Sequence, residues 1–278
     1  MGLLPECDLT NTPWYEVAVN LIGPWTAKTD HFKGEFYALT CIDTTTNLVE
    51  LTHIDSKSSD AIARKFENTL LAQYPRLVQV VHENGGKFTG YAFASLLCAL
   101  GIKDVPTTNK NPQSNAICER MHQTMATVLK TLLLSRPPQT PQDVLHLVDD
   151  GLATTMYSMR SIISTVLKAS PGALAFSRDM LLNVPLIADW QAITRNRETL
   201  VNDALLKNNQ RRINYDYYIG QQVLKYDNTI KGKLTVKTSG PFEIVRVHVN
   251  GTVTIQLRVG VTEQINIRRT IPYHEPLL

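Results

Sequence analysis

The sequence predicts an α/β domain, a mixed sheet covered by helices, followed by a small all-β barrel of SH3 type. Three observations point there. Apolar and β-branched segments crowd residues 14–53 and then alternate with helical patterns as far as residue 134. From Ile219 the hydrophobic period changes to two and stays there. The basic charge is concentrated in this last stretch. Of 28 Lys/Arg and 25 Asp/Glu, eight and four fall in residues 219–278, a net of +4, which leaves 20 against 21, a net of −1, in residues 1–218.

The elements follow in order. Residues 14–22, 35–43 and 47–53 read as an antiparallel meander. Gly23-Pro24 stops its first strand, and Thr44-Thr45-Thr46-Asn47 turns between the second and third. Ser58-Ser59-Asp60 caps a helix to about Tyr74, with Ile62, Phe66 and Leu70 on one face and Pro75 ending it. Residues 77–81 form a short buried strand, followed by the turn His82-Glu83-Asn84-Gly85-Gly86. A helix over 91–100 is closed by Gly101, and 102–106 is a fifth strand. A loop over 107–113 leads into a long helix over 114–134. Pro137-Pro138 and Pro141 interrupt before helices around 142–158 and 189–215. Residues 222–226, 240–249, 252–259 and 264–267 then alternate at period two, with Asn250-Gly251 a hairpin signal; five short strands in about 60 residues fit the barrel.

Composition excludes some classes. With 43% hydrophobic and 19% charged residues, 278 residues hold ample core material. No apolar run reaches the roughly 18–20 residues that cross a bilayer, so no membrane partner is expected. The opening Met1-Gly2-Leu3-Leu4-Pro5-Glu6 lacks a basic segment followed by an apolar one, and no secretory signal is expected. The four cysteines, Cys7, Cys41, Cys98 and Cys118, are scattered without metal-ligand pairs and read as reduced, mostly buried thiols of an intracellular protein. The C-terminal charge is compatible with a polyanion partner or with a solvated basic surface.

Three sites carry chemistry. The first strand holds Val17-Ala18-Val19-Asn20-Leu21-Ile22, and the fourth leads into His82-Glu83-Asn84-Gly85-Gly86-Lys87-Phe88. The long helix opens with Asn111-Pro112-Gln113-Ser114-Asn115-Ala116-Ile117-Cys118-Glu119-Arg120. Between Glu83 and Glu119 lie 35 residues. These segments resemble the D,D-35-E signature of retroviral and retrotransposon integrases. HENGGKFTG is similar to that family's Asp-Asn-Gly turn, and NPQSNAICERMHQT to its helix with the catalytic glutamate. The C-terminal GPFEIVRVHVNGTVTIQL and NIRRTIPY resemble the GPY/F module of Ty3/Gypsy-type integrases. The resemblance runs from Pro13 onward.

What the resemblance implies is an N-terminal tail over 1–12, an RNase-H-like core over 13–160, a helical linker over 161–218 and an SH3-like DNA-binding barrel over 219–278. It also implies 3′ processing and strand transfer of element ends into a target duplex, in the nucleus, by a homo-oligomer using Mg²⁺ or Mn²⁺. Two such cations about 3.5–4 Å apart activate the attacking hydroxyl and stabilise the leaving oxygen. The family's Asp, Asp, Glu ligands correspond here to Asn20, Glu83 and Glu119. Asn20 offers a neutral carbonyl in place of a bridging carboxylate. Glu83 adds a methylene, and Mg²⁺ tolerates misplacement poorly at a ligand distance of ~2.0–2.1 Å. Lys87 stands where the motif carries Glu and adds positive charge. The site is therefore expected to be catalytically impaired, leaving either a weak enzyme or a non-catalytic nucleic-acid-binding or assembly module.

DNA contacts are expected from Asn111, Gln113 and Asn115 in the loop and from Lys231, Lys233, Arg268 and Arg269 in the barrel. Asp43 reads as a turn cap rather than as a fourth carboxylate. Cys118 and His122, four apart on one helix, lack a companion pair for zinc and read as a packed thiol and an incidental imidazole. The zinc-binding HHCC domain that precedes the core in this family is not expected, since 13 residues precede Trp14.

Overall fold

A computed structural model describes residues 11–28, 33–107, 116–210, 212, 215–227, 236–248 and 251–273. The chain divides into two compact units, one containing residues 10–107 and 112–197, the other residues 198–278 with two short segments. The sequence placed this change at 218/219, after a linker from 161. Residues 161–197 instead belong to the first unit, where Leu167, Leu174 and Ile193 form a small apolar cluster of their own.

The first unit is built on a five-stranded mixed sheet. Its strands are β1 (Glu16–Lys28), β2 (Lys33–Asp43), β3 (Val49–Ile54), β4 (Gln79–Glu83) and β5 (Lys103–Thr107), in the order β3-β2-β1-β4-β5. β1 is antiparallel to β2 and β2 to β3, whereas β4 runs parallel to both β1 and β5. Gly23-Pro24 does not end β1. Pairing with β2 resumes at Trp25↔Phe36 after a bulge, because an extra residue on one strand absorbs the proline that cannot donate to the ladder. Gly23 sits at φ +118°, and a Cβ there would lie 2.7 Å from the carbonyl oxygen of Phe36, so the bulge requires glycine.

Helices cover both faces of the sheet. Val17, Val19 and Leu21 of β1 pack with Val80 of β4 against α1 (Ser59–Phe66) and α3 (Tyr91–Ala99) through Ile62, Phe66, Phe93 and Leu97. Ser58 caps α1 by accepting from the Ala61 amide at 3.2 Å. The chain then passes through a π-helical turn, Glu67–Leu71, that keeps Leu70 buried. Alternation places Ala18 on the opposite face, under Met121, Met125 and Leu129 of α4 (Ala116–Ser135) and Val144 and Val148 of α5 (Pro141–Ser161). Thr140 and Asp143 close a capping box at the start of α5.

Two expectations shift in detail. β4 begins two residues later than expected and takes His82 and Glu83 into the ladder, because the His82 ring is a core group, fully buried against Phe88 and Phe93. A short helix, α2 (Gly86–Thr89), follows it unannounced. α6 (Pro171–Phe176) and α7 (Trp190–Asn209) complete the helices, α7 ending six residues before the expected Tyr215. Of the cysteines, Cys41 is buried and Cys98 is exposed, and neither is in a disulfide. No described helix is long and apolar enough to cross a membrane.

The second unit is a separate antiparallel sheet of β6 (Gln222–Tyr226), β7 (Thr238–His248), β8 (Thr252–Arg258), β9 (Val261–Asn266) and β10 (Thr270–Pro272), ordered β10-β6-β7-β8-β9. A 3-10 turn, Ile267–Arg269, joins the two edge strands. Val223, Ile244, Val253, Ile255, Ile265 and Ile267 form its core, the inward half of the period-two pattern. Asn250 of the expected hairpin lies outside the described residues.

Candidate active site

Asn20 and Glu83 lie just past the end of the parallel β1–β4 ladder, Asn20 within β1 and Glu83 as the last residue of β4. The last pair of the β1–β4 ladder is Val19↔His82, and one step on are Asn20 and Glu83. Here the strand order reverses direction in the sheet, the place where open α/β sheets leave a crevice for ligands. Parity sets their direction: Val19 and His82 face the α1/α3 side, so Asn20 and Glu83 face the side of α4, as Ala18 does. Met121 and Met125 hold α4 on Ala18, which puts the helix that begins near Glu119 on the same face of the sheet. The Glu119 side chain lies outside the described residues.

The groups at this corner are already engaged. The half-buried Asn20 turns its Oδ1 back onto its own strand and accepts from the Leu21 amide at 2.7 Å. Glu83 Oε1 lies 2.5 Å from the Lys87 ammonium, the two side chains being 43% and 24% exposed. That oxygen is itself shielded from water and receives no aligned hydrogen bond, so the Lys87 contact is an ion pair held by charge. Beneath them, His82 bonds the carbonyl of Glu83 through Nδ1 at 2.8 Å and meets Asp104 Oδ1 through Nε2 at 2.5 Å. The imidazole thus fixes the main chain of Glu83 from below.

His122, one turn beyond Glu119, completes the described cluster. Burial pushes its pKa down to about 4; the Glu83 carboxylate opposes this and the Lys87 ammonium reinforces it. The ring is neutral at pH 7, and its Nε2 is shielded without a hydrogen-bond partner among the described residues. The sequence dismissed His122 as incidental, and nothing in the spacing of Cys118 and His122 pointed to Glu83. His82 was also missed, although alternation with the buried Val80 was a usable signal.

Asp43 behaves as expected of a turn cap. It accepts from the amides of Trp14 and Thr46, at 3.0 and 2.9 Å, and from the Thr46 hydroxyl at 2.6 Å. It is 1% exposed and pairs with Val17, three positions along the ladder from Asn20, so its lone pairs are already used.

No protein-family profile and no curated protein matches this chain. Solved structures do. A chain of the simian T-cell lymphotropic virus intasome, solved in complex with PP2A regulatory subunit B56 gamma, superposes with a TM-score of 0.65 at 13% identity, covering 100% of this chain and 84% of that one. The likeness to that chain is one of fold. The HTLV-2 integrase catalytic core domain with magnesium matches at a TM-score of 0.45 and 14% identity, over 63% of this chain and 99% of that one. The BIV integrase catalytic core domain matches at 0.43 and 18%, over 58% and 93%.

The intasome-type fold does not assemble every residue expected to act. Asn111, Gln113, Asn115, Lys231 and Lys233 lie outside the described residues, as does the Cys118 side chain. Arg268 is half-buried on the 3-10 turn, its guanidinium pKa lowered first by desolvation and then by the charge of Arg212. Arg269, expected to face DNA beside it, is turned inward. It is 5% exposed, and its Nε donates to the carbonyl of Tyr226 at 3.1 Å. The turn explains the difference, since consecutive residues of so tight a helix cannot share a face.

Asn20 and Glu83, the two members whose side chains are described, do not fit a pair of Mg²⁺ or Mn²⁺ ions as they stand. The amide at position 20 is spent on its own strand and the carboxylate at 83 on an ammonium. Among the described residues no three His, Cys, Asp or Glu side chains converge as a metal would need.

Proposed function

We propose that this chain is an integrase-like protein of Ty3/Gypsy type that binds DNA, both element ends and target duplex, with its polynucleotidyl-transfer chemistry impaired. The observation that supports this is the register that sets positions 20 and 83 on neighbouring strands, on the face of the sheet that α4 covers, in a fold like that of a chain of the simian T-cell lymphotropic virus intasome. In this reading Asn20, Glu83 and Glu119 stand for the metal-binding triad. Homo-oligomeric assembly, nuclear residence and an SH3-like DNA-binding role for the second sheet belong to the same reading.

The experiment is strand transfer and nicking of element-end DNA with Mn²⁺, comparing the parent with Asn20→Asp/Glu83→Asp. The parent is expected to be inactive or nearly so. The double variant regains one negative charge and a shorter ligand and is expected to gain activity that Glu119→Gln removes. A parent that already cleaves DNA, and loses this on Glu119→Gln, refutes the impairment. The second reading, a non-catalytic nucleic-acid-binding or assembly module, is favoured by the Glu83–Lys87 pair, and DNA binding unchanged in EDTA supports it.

A further inference from the structure

The Glu83–Lys87 contact is built by the fold rather than by chance encounter of surface side chains. α2 folds the chain back directly after Glu83, so the fourth residue on returns above the carboxylate. Phe88, the next residue, is fully buried between the rings of His82 and Phe93, with centroids 5.2 and 5.5 Å away. That anchor fixes the backbone of Lys87, and the ammonium also lies 5.5 Å from the Phe88 centroid. His82 fixes the Glu83 carbonyl from the other side. Both ends of the ion pair are therefore tied to the same aromatic cluster.

Charge bookkeeping follows from these contacts. Asn20 contributes none, and Glu83 and Lys87 cancel. A dication arriving here meets a neutral group and an ammonium that already occupies its oxygen. We propose that Lys87 is a tethered cation that takes the place of a divalent metal at Glu83, neutralising that carboxylate without an ion. The inference rests on reading positions 20, 83 and 119 as one site.

Manganese binding to the full chain, read by the loss of the free-ion paramagnetic resonance signal, tests it. Lys87→Met keeps the side chain's length and apolar stem while removing its charge. Opening a partly exposed ion pair and relieving repulsion of the ion together predict affinity on the order of tenfold tighter in Lys87→Met than in the parent. The gain disappears in Lys87→Met/Glu83→Gln, and Mn²⁺ raises the Tm of Lys87→Met but not of the parent. Equal affinities of Lys87→Met and parent overturn the proposal. In that event Asn20→Asp/Glu83→Asp separates the two failures: if it binds Mn²⁺, only the role of Lys87 falls, and if it does not, the single-site reading falls too. A gain that survives Glu83→Gln also overturns it, because the ion is then held elsewhere.

Discussion

His122 makes the stability of the first unit depend on pH in a direction that can be worked out beforehand. Its folded pKa is about 4 against 6.5 for the free group, so between these values the unfolded chain binds a proton that the native chain refuses. Stability linked to this group is therefore full above pH 6.5 and declines as pH falls toward 4, where the native ring also protonates. Going from pH 7 to pH 5 costs roughly 2 kcal/mol by linkage alone, and solvent screening of a half-buried ring reduces this to about 1 kcal/mol. Urea denaturation of the parent and of His122→Asn, at both pH values, is the assay. The parent is expected to lose about 1 kcal/mol more than the variant over this interval. Parallel pH profiles would show that the ring is solvated in the fold. A steeper loss in the variant would show that His122 is protonated there, which would place Glu83 closer to it than Lys87.

Four other outcomes follow from the structure. Arg160 on α5 donates its Nε to the carbonyl of Val49 at 2.9 Å and its Nη2 to Glu50, which also accepts from Tyr74; Arg160→Met strands that carboxylate and is expected to cost about 3 kcal/mol in chemical denaturation. The same network holds the Tyr74 hydroxyl well above its ordinary pKa, by burial first and then by Glu50, so its absorbance should not titrate with the exposed tyrosines below pH 11. In the second unit, Arg268→Ala is expected to weaken duplex binding by the full chain and to lower its salt slope by roughly one. Arg269→Ala should lower the Tm instead, since its side chain is bonded inside the sheet; a larger loss of DNA affinity from Arg269→Ala than from Arg268→Ala refutes that assignment.

Much of the fold was legible because its signals are periodic. The alternation of Val17, Val19 and Leu21, the cap at Ser58 and the breaks at Pro75 and Gly101 are local, and each sits where expected. What failed was local punctuation overruled by tertiary contacts. Gly23-Pro24 reads as a stop, yet pairing with Phe36 carries β1 through it. His82-Glu83 reads as a turn, yet Phe88 and Phe93 draw the imidazole into the core and extend the strand. Positions 20 and 83 were legible only as a likeness to a known motif. Their engagement was not, because the Lys87 and Leu21 contacts depend on side-chain direction, which sequence order does not encode. Arg268-Arg269 failed for the converse reason: a charged pair looks alike in sequence whether a turn exposes one member or both.

The alternation along β1 also bears on how such a protein changes over time. Val17, Val19 and Leu21 hold the strand against α1 and α3, while Asn20 looks the other way and leaves that core untouched. Scaffold and chemistry are written on interleaved letters of one short word, and each can be respelled without disturbing the other. A residue at position 20 can drift from acid to amide with little penalty to folding, so selection that keeps only the folded platform leaves nothing to guard the acid. The same interleaving makes the opposite change simple, since a single altered codon would put a carboxylate at position 20 on an unchanged backbone. An inserted or deleted residue upstream in β1 is different: it exchanges the two faces at once, buries position 20 and presents valines to α4. Lineages of this fold should therefore tolerate substitution at position 20 far more readily than any change in the length of the strand before it.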